Sequence, residues 1–93
     1  MAKYIVPSKI RITAKVTYEI VYGYTIAPDL GECRPDIKQI IINPNQSKRN
    51  MFLTFIHEVI HAMDHESSIG ITEGKTLAIE SALFDIFRFN KFL

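Results

Sequence analysis

A single cysteine, Cys33, leaves this 93-residue chain with no internal disulfide, which excludes the small secreted domains that disulfides hold together. Cys33 itself reads as a small buried hydrophobe. Net charge is also scarce. Eleven Lys and Arg against ten Asp and Glu leave +1, too little to gather DNA, RNA or anionic lipid, and no basic cluster extends beyond Lys48-Arg49. No apolar run approaches the roughly 18 residues that a membrane-spanning helix needs, and the N-terminus lacks the basic, apolar, small-residue order of a signal peptide. Internal repeats, low-complexity tracts and flexible linkers are missing as well. These absences predict one domain over 1–93, cytoplasmic, with neither a nucleic-acid nor a membrane partner.

What is present is apolar and ordered by period: 47% of the chain is hydrophobic. In "KIRIT" and "AKVTYEIVYG", Ile10, Ile12, Val16, Tyr18, Ile20 and Tyr22 fall on every second position, the period of half-buried strands. Turn chemistry at Pro28-Asp29 and at Arg34-Pro35-Asp36 follows, and "LGEC" and "IKQIII" flank the second turn as a hairpin. Pro44, in Asn43-Pro44-Asn45, closes the strand region because it cannot donate to a ladder. Beyond Ser47, a candidate N-cap, Phe52, Phe55, Ile56, Val59, Ile60 and Met63 recur at helical spacing. "ESSIGITEG" interrupts that helix. "KTLAIESALFDIFRFNKFL" resumes the period through Leu77, Leu83, Phe84 and Phe87, with Ile79 and Ile86 near the stripe. The predicted fold is α+β: a small, mostly antiparallel sheet from the N-terminal half, packed on two C-terminal helices.

All three histidines lie in "FIHEVIHAMDHE", residues 55–66. His57 and His61 are four apart on the first helix, so their imidazoles stack along one face and can converge on one ion. Glu58 points about a quarter-turn away, where it can reach a metal-bound water rather than the metal, the position of a general base in peptide-bond hydrolysis. Histidine pairs on helices are commonly structural. The full H-E-x-x-H pattern, however, arises by chance in roughly one chain of this length in several hundred, and apolar Ile56, Val59, Ile60, Ala62 and Met63 around it would leave unliganded imidazoles short of partners. The expected ligands are therefore His57 and His61, the expected ion Zn2+ and the expected base Glu58.

A third ligand has several candidates. His65 continues the four-residue spacing but lies about 12 Å from His57 along one helix, too far to share an ion. It reads instead as a last-turn residue facing the helix dipole. Asp64 reads as exposed, or bonded to a ligand histidine. Glu80 shares an apolar stripe with Leu77, Phe84 and Phe87, where a carboxylate is costly unless it meets a cation, and it is the preferred third ligand. Glu73 is the substitute, with a helix-start role as its alternative, and Asp85 reads as solvated. Tyr18, Tyr22 and Tyr24 could each donate to a tetrahedral intermediate, though strand tyrosines more often pack.

"HEVIH", a short turn, a helix carrying Glu80, and a preceding sheet ending in "GECRPDIKQIIINPN" together resemble the compact zinc metallopeptidases of the ImmA/IrrE-like type, many of which are encoded by phages and mobile elements. The resemblance runs from about Tyr18 onward. It implies His57 and His61 as zinc ligands, Glu58 as catalytic base, Glu80 as the glutamate ligand of a gluzincin-like site, and a peptide or protein substrate. The helix-turn-helix module of some larger members has no counterpart in this chain. A zincin-like sheet also implies an extended substrate added to an edge strand, for which "IKQIIIN" is the candidate; its alternative is an interior strand buried on both faces. The competing function is a non-catalytic zincin scaffold that binds a partner protein, with zinc structural or absent.

Overall fold

A computed structural model describes residues 3–25 and 29–92. The expected turn at Pro28 lies outside them. The protein is α+β: four strands, β1 (Lys9–Arg11), β2 (Thr17–Tyr22), β3 (Gly31–Arg34) and β4 (Gln39–Ile42), precede two helices, α1 (Lys48–Ser67) and α2 (Glu73–Phe89). The sheet order is β1-β2-β4-β3. β1 with β2 and β3 with β4 are antiparallel, while β2 and β4 are parallel, with Ile20 opposite Ile40 and Tyr22 opposite Ile42. The alternating period therefore describes two separate strands, β1 and β2.

One face of the sheet carries the core. Tyr18, Ile20, Ile40 and Ile42 point inward and meet Phe52, Phe55, Ile56, Ile60 and Ala62 of α1 and Phe84 of α2. Ile41, between the two inward isoleucines, is buried on the other face, as the two-residue period requires. The triple isoleucine thus belongs to an interior strand. "IKQIIIN" is not the edge, and β3 is, because β4 is flanked by β2 and β3. Tyr4, from the segment before β1, reaches over the helices to lie 6.2 Å from the Phe52 ring and 6.0 Å from that of Phe84.

Local chemistry sets the helix ends. Ser47 accepts from Asn50 N–H at 3.1 Å and Thr72 from Lys75 N–H at 3.2 Å, which satisfies first-turn donors that have no helical partner. α1 stops where Ser68 turns left-handed at φ 51°, followed by Gly70 at φ 82°. Asp64 spans this break. Its Oδ1 accepts from Gly70 N–H at 2.6 Å and Ile71 N–H at 3.1 Å, so Asp64 holds the turn between the helices. Leu77 departs from its expected place in the core stripe: it is 51% exposed. No helix among the described residues is long and apolar enough to cross a membrane.

The far end of α1 is tied to the sheet by a buried phenol. The Tyr18 hydroxyl donates to Glu66 Oε2 at 2.6 Å, and Lys38 Nζ, from the left-handed residue of the β3–β4 turn, donates to the same oxygen at 2.7 Å. These bonds, that from Lys38 first, hold the Glu66 carboxyl below its usual range. A lowered folded-state pKa contributes stability that is present above the unfolded pKa and lost as pH falls through the folded one. In metal-free protein, Glu66→Gln is therefore expected to melt several degrees below wild type at neutral pH, with the gap closing as pH drops below the carboxylate range. A gap independent of pH in thermal unfolding would show that the charge on Glu66 contributes nothing.

Candidate metal centre

The α1 spacing brings His57 and His61 together with Nε2 atoms 3.0 Å apart and ring centroids at 4.7 Å. The turn held by Asp64 then returns the chain so that Glu73, the first residue of α2, lies over both rings. Its Oε1 is 2.9 Å from His57 Nε2 and its Oε2 is 3.3 Å from His61 Nε2. Donor atoms of these three residues all lie within 4.8 Å of one another. Glu80, two turns along α2, approaches His57 from the opposite side: its Oε2 is 3.6 Å from Nδ1. Two carboxylates of α2 thus flank one imidazole. Glu73 shares the Nε2 side with His61, whereas Glu80 stands on the Nδ1 side.

The donor set fits zinc. Two imidazoles and a carboxylate are its usual ligands, and Zn–N bonds of about 2.0–2.1 Å in tetrahedral geometry put two nitrogens about 3.3 Å apart, near the separation found here. Glu73 also sits at a helix start, where a carboxylate is favoured without any ion. What the dipole does not explain is its contact with two imidazoles at once.

Glu58 is 7% exposed and makes no hydrogen bond among the described residues. Its side chain lines a cleft of about 290 Å³ with Asp29, Leu30, Gly31, Thr54, His57, Leu77 and Glu80. Burial pushes its carboxyl up to about 7, opposed by His57 and reinforced by the charges of Glu73, Asp29 and Glu32. A carboxyl poised near neutrality can both take and return a proton. Thr54, also buried, forms the wall beside it.

β3 crosses close to this carboxylate because residue 31 has no side chain. A Cβ there would collide with Thr54 Cγ2 and lie 3.2 Å from the Ile41 carbonyl oxygen and 3.3 Å from Glu58 Cγ. Gly31→Ala is expected to cost about 1–3 kcal/mol in denaturant unfolding, the usual penalty for overpacking. Adding Thr54→Ser, which deletes the colliding methyl and keeps the hydroxyl, should recover much of that loss. Equal stability of the single and double variants would mean that β3 simply shifts away.

The backbone of β3 is also exposed on its outer side. Asn43 N–H donates to the Leu30 carbonyl at 2.9 Å, and hydrogen-bonded pairs alternate in an antiparallel ladder. With Glu32 opposite Ile41 and Cys33 opposite Ile40, the bonded residues are Glu32 and Arg34. Gly31 and Cys33 therefore turn their N–H and C=O groups toward the free edge.

The other candidates lie apart from the two imidazoles or have other partners. His65 is exposed in the last turn of α1. Asp64 bonds backbone N–H groups and no histidine. Asp85 pairs with Arg88 at 3.1 Å. The Tyr18 hydroxyl is bound to Glu66, Tyr22 is half exposed and Tyr24 largely so. Cys33 is a free, half-buried thiol; burial, and then the charge of Glu58, push it up to about 11. Asp29 and Gly31 were not singled out by sequence reading, because the loop and edge strand that carry them join the site only through tertiary packing. No protein-family model, curated protein or solved structure matches the chain.

Proposed function

We propose that this protein is a zinc-dependent metallopeptidase of the ImmA/IrrE-like zincin type, in which His57, His61 and Glu73 hold the ion and Glu58 is the general base. The observation that carries the reading is Glu58: a residue 7% exposed whose carboxylate makes no hydrogen bond among the described residues and opens on a cleft beside two converging imidazoles. A purely structural metal site has no use for such a group. Zinc, when bound, would supply a water of lowered pKa and polarise the scissile carbonyl.

The chain's own residues supply the rest. Glu58, opening on the cleft beside the imidazoles, accepts the proton of the attacking water and returns it to the leaving amine. Glu80 stands at His57 Nδ1, where a carboxylate favours the tautomer that leaves Nε2 free to bind an ion. An extended peptide can pair with the outward N–H and C=O groups of Gly31 and Cys33, which brings its backbone alongside Glu58 without a new side-chain contact.

Metal content tests the reading first. Protein purified without chelators or a histidine tag is expected to retain about one zinc per chain by elemental analysis, and His61→Ala to retain little. Protein that stays metal-free after zinc is offered and the free ion removed would rule the reading out. One zinc without turnover of any peptide would instead favour a non-catalytic scaffold that binds a partner protein.

A further inference from the structure

The lining of the cleft is chemically one-sided. Asp29, Glu58 and Glu80 supply three carboxylates, and no lysine or arginine is among the lining residues. Arg34 pairs with Glu32 at 2.6 Å, Lys38 with Glu66 at 2.7 Å and Arg88 with Asp85 at 3.1 Å, while Lys75, exposed in the first turn of α2, is not part of the lining. Asp29 and Glu80 stand outside the donor set of His57, His61 and Glu73. Glu58 itself, 7% exposed and without a hydrogen bond among the described residues, opens into the same space. Leu30 and Leu77 add aliphatic wall beside Gly31, Thr54 and His57. Each is 51% exposed, although an isolated domain gains nothing by leaving two leucines in water.

Acid beside exposed leucine matches one kind of side chain, an aliphatic stem ending in a cation. We propose that the cleft takes a lysine or arginine side chain of an extended peptide, its stem against Leu30 and Leu77 and its charged end at Asp29 and Glu80. This rests on the peptide-substrate reading above and adds a substrate class to it. An acidic side chain is excluded from the same place by the uncompensated carboxylates, so the preference has both an attractive and a repulsive part.

The test is binding, separate from turnover. Acetyl-Ala-Ala-X-Ala-Ala-amide peptides with X as lysine, norleucine or glutamate are titrated into the zinc-loaded, full-length Glu58→Gln protein and followed by amide chemical shifts. The lysine peptide should shift Leu30, Gly31 and Leu77 and bind about three- to fivefold more tightly than norleucine, as one partly exposed charge pair allows, with glutamate weakest. Asp29→Asn should narrow the lysine–norleucine gap, and added salt should do the same. Equal binding of lysine and norleucine, an undiminished gap in Asp29→Asn, or no shifts at these residues with any peptide would overturn the proposal. Cleavage of the lysine peptide by zinc-loaded wild type, measured separately, bears on the peptidase reading: lysine preference without cleavage would sink that reading and leave the cation-selective cleft standing.

Discussion

Replacing Glu58 by glutamine is expected to leave zinc content and melting temperature near those of wild type while lowering peptide hydrolysis by about 10²- to 10⁴-fold, the range for losing a positioned acid–base group. Glutamine keeps the shape of the side chain in a site closed by Thr54, Gly31 and Leu77. It also removes a carboxylate that burial disfavours in its charged form, so stability should hold or rise slightly. The loss should fall on kcat, because the proton moves only in the transition state. Hydrolysis by Glu58→Gln at the wild-type rate would mean that another group is the base, and loss of zinc together with activity would mean that Glu58 acts through the metal site rather than on the water.

The second large effect separates the two carboxylates of α2. Competition against a chromophoric chelator is expected to show zinc weakened more than about 100-fold in Glu73→Ala and only about 10-fold in Glu80→Ala, the lower end of the range for a group that acts through a ligand imidazole. The reasoning is positional. Glu73 touches Nε2 of both histidines, whereas Glu80 is near only Nδ1 of His57, at 3.6 Å. The reverse order of losses would assign the ion to the Nδ1 side of His57 and make Glu80 the ligand. Equal, small losses in both would leave the imidazoles without a protein carboxylate as third donor.

Much of this fold is legible in the sequence because its signals are local. The two-residue period of Tyr18 and Ile20, the helical spacing of Phe52, Phe55, Ile56 and Ile60, and the Ser47 cap each act within a few residues, and each has its expected place. Strand order is different. Whether "IKQIII" is interior or at the edge depends on β2 pairing with it in parallel although β3 lies between them in sequence, a non-local choice that an apolar run alone leaves open. The HExxH spacing likewise brings His57 and His61 together by helix geometry alone. Which carboxylate meets them depends on how tightly "ESSIGITEG" turns, and that is set by Asp64 reaching Gly70 and Ile71, a contact that leaves no periodic trace. Leu77 misled for a related reason: helical spacing identifies a stripe, but a cleft that opens beside the stripe exposes one of its members.

The turn that Asp64 closes has a further consequence for how the protein assembles. The donors His57, His61 and Glu73 belong to a single helical hairpin, and bringing together the ends of so short a segment forfeits little chain entropy. The enclosure of Glu58 is of another kind, since it needs Gly31 on β3, which is held in place by β4 and, through the parallel ladder, by β2. Contacts of long sequence separation form late and slowly in folding. Gathering His57, His61 and Glu73 and closing the wall around Glu58 are therefore separable events, the first within reach of a partly folded chain and the second reserved for the native one.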